Sequence, residues 1–191
     1  MANKILYGIE NVHVAKITED AQGNITYGTP FAVKGAVGLN FDPEGEITTF
    51  YADNIKYFIQ ESNQGYTGDL EIALTPTEFL KQILGRAEDS NGAIFEASDD
   101  TQARFALMFQ GQGDQTGRRY VFYDCTTTRP TRENNTKQEE IEPGTDTMTI
   151  TMAPRGTDKV IMAYIEPTTA NQAIYDGFFD AVYVKDQTAS V

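Results

Sequence analysis

The sequence predicts a mainly β fold, α+β by a small margin: an antiparallel β-sandwich or partly closed barrel flanked by one short α-helix at about residues 76–85. Three observations carry this prediction. Short runs rich in β-branched and aromatic residues recur between clusters of Gly, Pro, Asn and Asp along most of the chain. Two of these runs, 66–75 and 145–153, alternate apolar and polar residues as a strand with one wet face does. A third stretch, 75–85, repeats its apolar residues at helical spacing.

Residues 9–18 read as a strand, and the segment from Asp20 through Gly23 to Asn24 as the turn into a second strand at 25–34. Gly35 and Gly38 bracket a short apolar piece, and Asp42-Pro43-Glu44-Gly45 forms the next turn. The stretch 47–60 is dense in Phe50, Tyr51, Tyr57, Phe58 and Ile59 and is broken by Asp53-Asn54. In 66–75, Leu70, Ile72 and Leu74 share one face, and Asp69, Glu71 and Ala73 the other. Thr75-Pro76 starts the helix, with Glu78 in its first turn. Phe79, Leu80, Ile83 and Leu84 make its apolar face, and Gly85 stops it. A helix of about three turns is marginal alone, so it should lie on a sheet.

Residues 89–100 read as polar loop with one brief strand at 93–96. Strands at 104–110 and 119–128 flank a turn at 111–117, and strands at 131–142 and 145–153 flank Pro143-Gly144. In the last of these, Met148, Ile150 and Met152 alternate with Thr147, Thr149 and Thr151. The polar strand at 136–141 is unusual: Lys137, Glu139 and Ile141 share one face and Thr136, Gln138 and Glu140 the other, and neither suits a dry core. Such a strand is an exposed hairpin arm or is covered by another chain. A second short helix at 169–180 and a strand at 181–185 follow. No internal repeat and no Pro/Gly-rich linker divides the chain, so one domain over 1–191 is expected.

With 15 basic against 28 acidic residues, the formal charge is −13. Tight binding of free nucleic acid is disfavoured, because phosphate affinity rests on clustered Lys and Arg. Solubility explains an acidic surface equally well as does a surface that must not hold DNA. The single cysteine, Cys125, excludes an internal disulfide framework and a Cys-based zinc cluster, and its alternation with Val121 and Tyr123 predicts a buried, inert thiol. No run approaches the roughly 20 apolar residues of a membrane span, and the N-terminus has no secretory pattern.

Catalytic and metal motifs are missing. The one histidine, His13, cannot build a multi-histidine metal centre, and Ser62, Ser90, Ser98 and Ser190 lie in no nucleophile-elbow motif. The glycines at 111, 113 and 117 miss the dinucleotide fingerprint, since position 116 is Thr. Asp89-Ser90-Asn91-Gly92 hints at a calcium loop but lacks the remaining spaced carboxylates. Acidic pairs such as Glu139-Glu140 and Asp99-Asp100 are what so acidic a chain must contain. No enzymatic activity, metal or cofactor is expected.

Seven segments resemble, in order, the major tail (tail tube) proteins of long-tailed, non-contractile phages of Gram-positive bacteria. They are KILYGIENVHVAKIT at 4–18, TPFAVKGAVGLNFDPEG at 29–45, FYADNIKYF at 50–58, YTGDLEIALTPTEFLKQILG at 66–85, FALMFQGQGD at 105–114, VFYDCTTTRP at 121–130 and EPGTDTMTITMAPR at 142–155. The resemblance implies a β-sandwich flanked by a helix, as in the tube protein of type VI secretion. It also implies hexameric rings stacked head-to-tail around a tape-measure protein, with tail terminator and distal tail proteins as further partners. DNA would pass through the lumen without specific binding, the virion tail would be the location, and assembly would occur in the host cytoplasm with no membrane involved. Some relatives carry a C-terminal immunoglobulin-like domain, and with the last strand close to Val191 none is expected here.

Under that resemblance, the segment at about 42–65 and both chain ends are expected to be extended arms ordered by neighbouring subunits. Ile5, Leu6, Tyr7, Phe50, Tyr51, Tyr57, Phe58, Val182 and Tyr183 are the inter-subunit candidates. Acidic side chains repel phosphate over about 8–10 Å near physiological salt, so a lumen lined by them lets DNA slide. Asp69, Glu71, Glu139 and Glu140 are the lumen candidates, and their placement on the tube exterior stays open. Two other readings remain at this level. One is a phage surface or carbohydrate-binding β-sandwich module with a ligand groove. The other is an acidic β-scaffold hydrolase, with a cleft and one high-pKa carboxylate.

Overall fold

In the computed structural model, which describes residues 8–113, 116–132 and 143–185, the first element is β1 (Ile9–Glu19). Asp20 closes the following turn by accepting the backbone N–H groups of Gln22 and Asn24 at 2.9 and 2.8 Å. The expected strand at 25–34 is two short pieces, β2 (Ile25–Tyr27) and β3 (Phe31–Ala32). Pro30 lies between them and lacks a donor for a continuous ladder. Next come β4 (Ala36–Leu39) and β5 (Asp42–Glu44). The expected turn at 42–45 is therefore a strand, with Pro43 accommodated because β5 is short and lies at an edge. β6 (Ile47–Ala52) and β7 (Ile55–Glu61) form a hairpin, turned by Asp53 and Asn54 at φ 51° and 61°. Two successive left-handed residues match the twist of a two-residue hairpin loop.

β8 (Gly65–Ile72) buries Leu70 and Ile72 as its alternation predicts, but ends before Leu74, which is 63 % exposed rather than inward. The cause lies one residue on. Thr75 is drawn toward Asp146, whose Oδ2 accepts the Thr75 N–H at 2.9 Å and its hydroxyl at 2.7 Å. α1 (Thr77–Gln82) is shorter than the expected 76–85, because Ile83 and Leu84 leave the helix to enter the core and Gly85 turns at φ +76°. A Cβ at Gly85 would meet the Thr101 carbonyl oxygen at 2.4 Å, so the close approach requires glycine.

β9 (Ala87–Glu88) and β10 (Ile94–Phe95) form a small separate hairpin. β11 (Phe105–Gly111), β12 (Arg119–Thr127), β13 (Thr131–Arg132) and β14 (Asp146–Met152) follow as expected in type, while the polar strand expected at 136–141 lies outside the described residues. β15 (Met162–Ile165), which pairs with β12, has no counterpart in the sequence reading, and α2 (Gln172–Asp176) is the second short helix. The strand expected at 181–185 is not formed. Val182 and Tyr183 instead pack as irregular chain against the sheet, where the Tyr183 carbonyl accepts the Tyr123 hydroxyl at 2.8 Å.

The main sheet runs β2-β1-β11-β12-β14-β8-β4, antiparallel throughout. Residues 31–39 close it. At one end β3 pairs with β1 (Val14 opposite Phe31), and at the other β4 pairs with β8 (Leu39 opposite Leu70). The ladder thereby returns to its starting strand and encloses a core of Val12, Val14, Leu70, Ile72, Leu107, Phe122, Met148 and Ile150. α1 contributes Phe79 to this core, edge-on to Phe105 at 5.9 Å.

A second core lies on the other face of β1, β11 and β12. There Ala15, Ala106, Met108, Val121 and Tyr123 are covered by Phe178 and by the segment around Val182. This accounts for the unbroken apolar run Phe105 to Phe109, since a strand buried on both faces needs no polar alternation. Arg119 fastens the cover. Its guanidinium sits 3.9 Å from the Tyr175 ring and 4.9 Å from the Phe179 ring.

Candidate self-assembly surface

The β6–β7 hairpin is a continuation of the β5–β8 ladder. Asp42 pairs with Thr67, Gln64 N–H donates to the Glu44 carbonyl at 2.8 Å, and Ser62 exchanges backbone and side-chain bonds with Glu46. A Cβ at Gly45 would lie 2.0 Å from the Ser62 carbonyl oxygen, so the two strands of the root are in close backbone contact. Beyond the root, every residue of β7 is exposed. Phe50 and Phe58 stand opposite each other, and Tyr57 is 72 % exposed. An isolated two-stranded hairpin is at best marginal in water, and a contiguous apolar surface of this kind marks an interaction site.

The second surface is the outer face of β8 and β14. Interior residues of β14 alternate with Thr147, Thr149 and Thr151, which stand opposite Glu71, Asp69 and Thr67. Thr149 donates its hydroxyl to Asp69 at 2.8 Å and Thr145 donates to Glu71 at 2.6 Å. Asp42 shares this face through its pairing with Thr67, and Glu44, two residues on, does too. The sequences of β4, β5, β8 and β14 contain no Lys or Arg. The wall is thus hydroxyl and carboxylate with no fixed cation of its own. In the sequence Asp42 and Glu44 read as turn residues, and only the strand β5 turns their i, i+2 spacing into a shared face.

The remaining site candidates fall elsewhere. Val182 and Tyr183 pack on the second core of their own chain. Ile5, Leu6, Tyr7, Glu139 and Glu140 lie outside the described residues.

Groups that could support chemistry are occupied structurally. His13 donates from Nδ1 to the Asn11 carbonyl at 2.9 Å and stacks on Phe179 at 4.8 Å. Cys125 is fully buried, and desolvation pushes its thiol well above the ordinary value, so it stays protonated. In the cleft between Leu84 and Arg129, Glu96 is held by Arg86 and Arg129 while Asp100 caps the Ala97 N–H at 2.9 Å. Among the described residues no group of three metal-ligating side chains converges, and no helix is long and apolar enough to cross a membrane.

A profile of the phage tail tube protein family matches residues 1–176. The chain belongs to this phage tail tube family. It is accordingly a structural protein of the virion tail. Among solved structures it is similar to the cryo-EM structure of the anti-feeding prophage cap (AFP tube terminating cap), at 11 % identity and a TM-score of 0.44, covering 85 % of this chain and 94 % of that one. It is also similar to the anti-feeding prophage baseplate, at 8 % identity and a TM-score of 0.37, covering 84 % and 96 %. No curated protein matches the tail tube chain.

Proposed function

We propose that this tail tube protein assembles into hexameric rings that stack head-to-tail around a tape-measure protein, forming a hollow conduit for DNA, and that it has no enzymatic activity. The observation that carries the reading is the family match over 1–176 together with a hairpin left bare by its own barrel. A ring needs a head-to-tail interface that closes, and a tube needs a second one that does not. The barrel offers few long edges for these contacts, because residues 31–39 close it within one chain. The hairpin supplies the surface instead, with Phe50, Tyr51, Tyr57 and Phe58 as the contacts.

Asp69 and Glu71, with Asp42 and Glu44, are the proposed lumen lining. The support is the uniform sign of that face: carboxylates held by threonine hydroxyls, with no Lys or Arg in β4, β5, β8 or β14. Such a wall repels phosphate at short range and offers it no counter-charge. Assembly in the host cytoplasm and contacts with terminator and distal tail proteins belong to the same reading.

Negative-stain microscopy of the concentrated purified protein tests the proposal. Tubes or six-fold rings are the expected result. A persistent monomer, or a discrete trimer with a saturable carbohydrate site, would overturn it.

A further inference from the structure

Two loops of the chain share one hydrogen-bonding plan. In residues 20–24 the Asp20 carboxylate accepts the N–H of Gln22 at 2.9 Å and that of Asn24 at 2.8 Å. In residues 89–93 the Asp89 carboxylate accepts the N–H of Asn91 and that of Ala93, both at 2.9 Å. The fourth residue of each is glycine, Gly23 at φ +82° and Gly92 at φ +83°. Its N–H donates to the aspartate carbonyl, at 3.0 Å in the first loop and 3.1 Å in the second. The aspartate N–H then closes each loop on the carbonyl of the fifth residue, Asn24 or Ala93. Such a loop needs aspartate first for its acceptors and glycine fourth for its left-handed backbone. The third residue contributes only its N–H, so its side chain is free to vary.

That third residue is Gln22 in one loop and Asn91 in the other, and the difference is chemical. Asn91-Gly92 is the only Asn-Gly pair in the chain, and both residues are exposed. An asparagine Cγ lies within reach of the next backbone nitrogen, and glycine has no Cβ to obstruct closure of the five-membered ring. A glutamine must close a six-membered ring instead, which is slower. In the folded loop the Gly92 nitrogen is engaged, since its N–H is donated to the Asp89 carbonyl. The Ala93 and Asn91 N–H groups hold the Asp89 carboxyl below its ordinary value, so this clasp is charged at neutral pH.

We infer that Asn91 is a site of spontaneous deamidation, and that the Asp89 clasp sets how fast it reacts. When the loop opens, the Gly92 nitrogen bonds to Asn91 Cγ, the Cγ–Nδ2 bond breaks, and ammonia leaves with the proton that Gly92 gives up. Water then opens the cyclic imide at one of its two carbonyls. Opening at Cγ gives aspartate. Opening at the backbone carbonyl gives isoaspartate, whose main chain runs through the former side chain. Either product adds a negative charge beside Asp89 in a chain already at −13. Isoaspartate also lengthens the main chain, which breaks the spacing that sets the Gly92 N–H on the Asp89 carbonyl. A virion protein is not replaced after release, so the change accumulates.

The test incubates the protein at pH 8, folded and in denaturant, and maps its peptides by mass and electron-transfer fragmentation. Conversion at residue 91, with isoaspartate among the products, is expected in the folded protein at several-fold below the denatured rate. Asp89→Ala should raise the folded rate several-fold and leave the denatured rate unchanged. Gln22→Asn should transplant the reaction to the other loop, at a folded rate close to that of Asn91. A folded wild type that stays intact at Asn91 while the denatured chain converts overturns the site. Equal folded rates in wild type and Asp89→Ala overturn the role of the clasp, and an inert Gln22→Asn overturns its dependence on the shared loop plan. Should Asp89→Ala not fold, the wild type decides alone: folded and denatured rates that coincide overturn the clasp.

Discussion

Asp146 holds Thr75 by two hydrogen bonds to one carboxylate oxygen, from the Thr75 N–H at 2.9 Å and from its hydroxyl at 2.7 Å. The same carboxylate receives Arg132 Nε at 2.6 Å and Nη2 at 2.8 Å. One buried side chain thus ties β14 to β13 and to the turn that launches α1. Asp146→Asn keeps the shape but removes the charge on which these bonds depend. Chemical denaturation should show a loss of about 2 kcal/mol, the order expected for hydrogen bonds to a charged group.

Acid should act through the same group. Arg132 holds the Asp146 carboxyl far below the ordinary carboxylate range, with Thr75 adding to the effect and burial opposing it. The folded pKa is depressed, so the stabilisation is fully present above the unfolded value of about 3.9 and is lost as pH falls toward the folded one. Thermal melts taken from pH 6 down into strong acid should lose stability more steeply for the wild type than for Asp146→Asn. Parallel curves would refute the assignment.

Removal of 47–61, with the root joined by a short Gly-containing turn, should leave a folded barrel that no longer polymerises. None of the deleted side chains belongs to either core, so circular dichroism and the unfolding midpoint should change little. Microscopy should show dispersed particles under conditions where the intact chain forms tubes. A variant that still forms tubes would show that the contact lies elsewhere.

Asp69→Lys combined with Glu71→Lys should slow DNA ejection while leaving tube length unchanged. Two lysines on a wall that lacks them create fixed counter-charges for phosphate, and each phosphate contact adds to the salt dependence of sticking. Ejection followed by dye release should therefore be slowest at low salt and recover toward wild type as salt rises. Unaltered kinetics would place that face away from DNA.

The Cys125 thiol should be unreactive toward a soluble disulfide reagent in the native protein at pH 8. It should react stoichiometrically once denaturant unfolds the barrel. The cause is double: the side chain is fully buried, and desolvation disfavours the thiolate that does the attacking. Fast labelling of the native state would mean that β12 opens locally.

Local pattern was legible in the sequence wherever it decided the structure. The alternation of Leu70 and Ile72 with Asp69 and Glu71, and of Met148 and Ile150 with the threonines between them, gave strand type, inward face and wet face together. Asp53-Asn54 marks a break in the stretch 47–60 in the sequence, and the structure makes that break a hairpin turn, since both residues tolerate a left-handed backbone. What stayed hidden was set by distant partners. Nothing local in 31–39 says that one end will pair with β1 and the other with β8, and Pro43 reads as a turn residue until β8 is beside it. The exposure of Leu74 follows from the hold of Asp146 on the next residue, Thr75, from which it lies 71 residues on in the chain. Of the candidate surface, the aromatic hairpin residues were legible from composition alone, whereas Asp42 and Glu44 needed the strand assignment to join the acidic wall.

A barrel locked shut by residues 31–39 is a finished brick before it meets another. Backbone ordering is the largest entropic cost in building protein structure, at about 1–2 kcal/mol per residue, and here most of it is met within the single chain. In the tube proposed above, joining such bricks would require little more than fixing their positions and seating one short paddle. Lengthening by such units would resemble masonry more than weaving, with each course cheap to lay once the one beneath it is true.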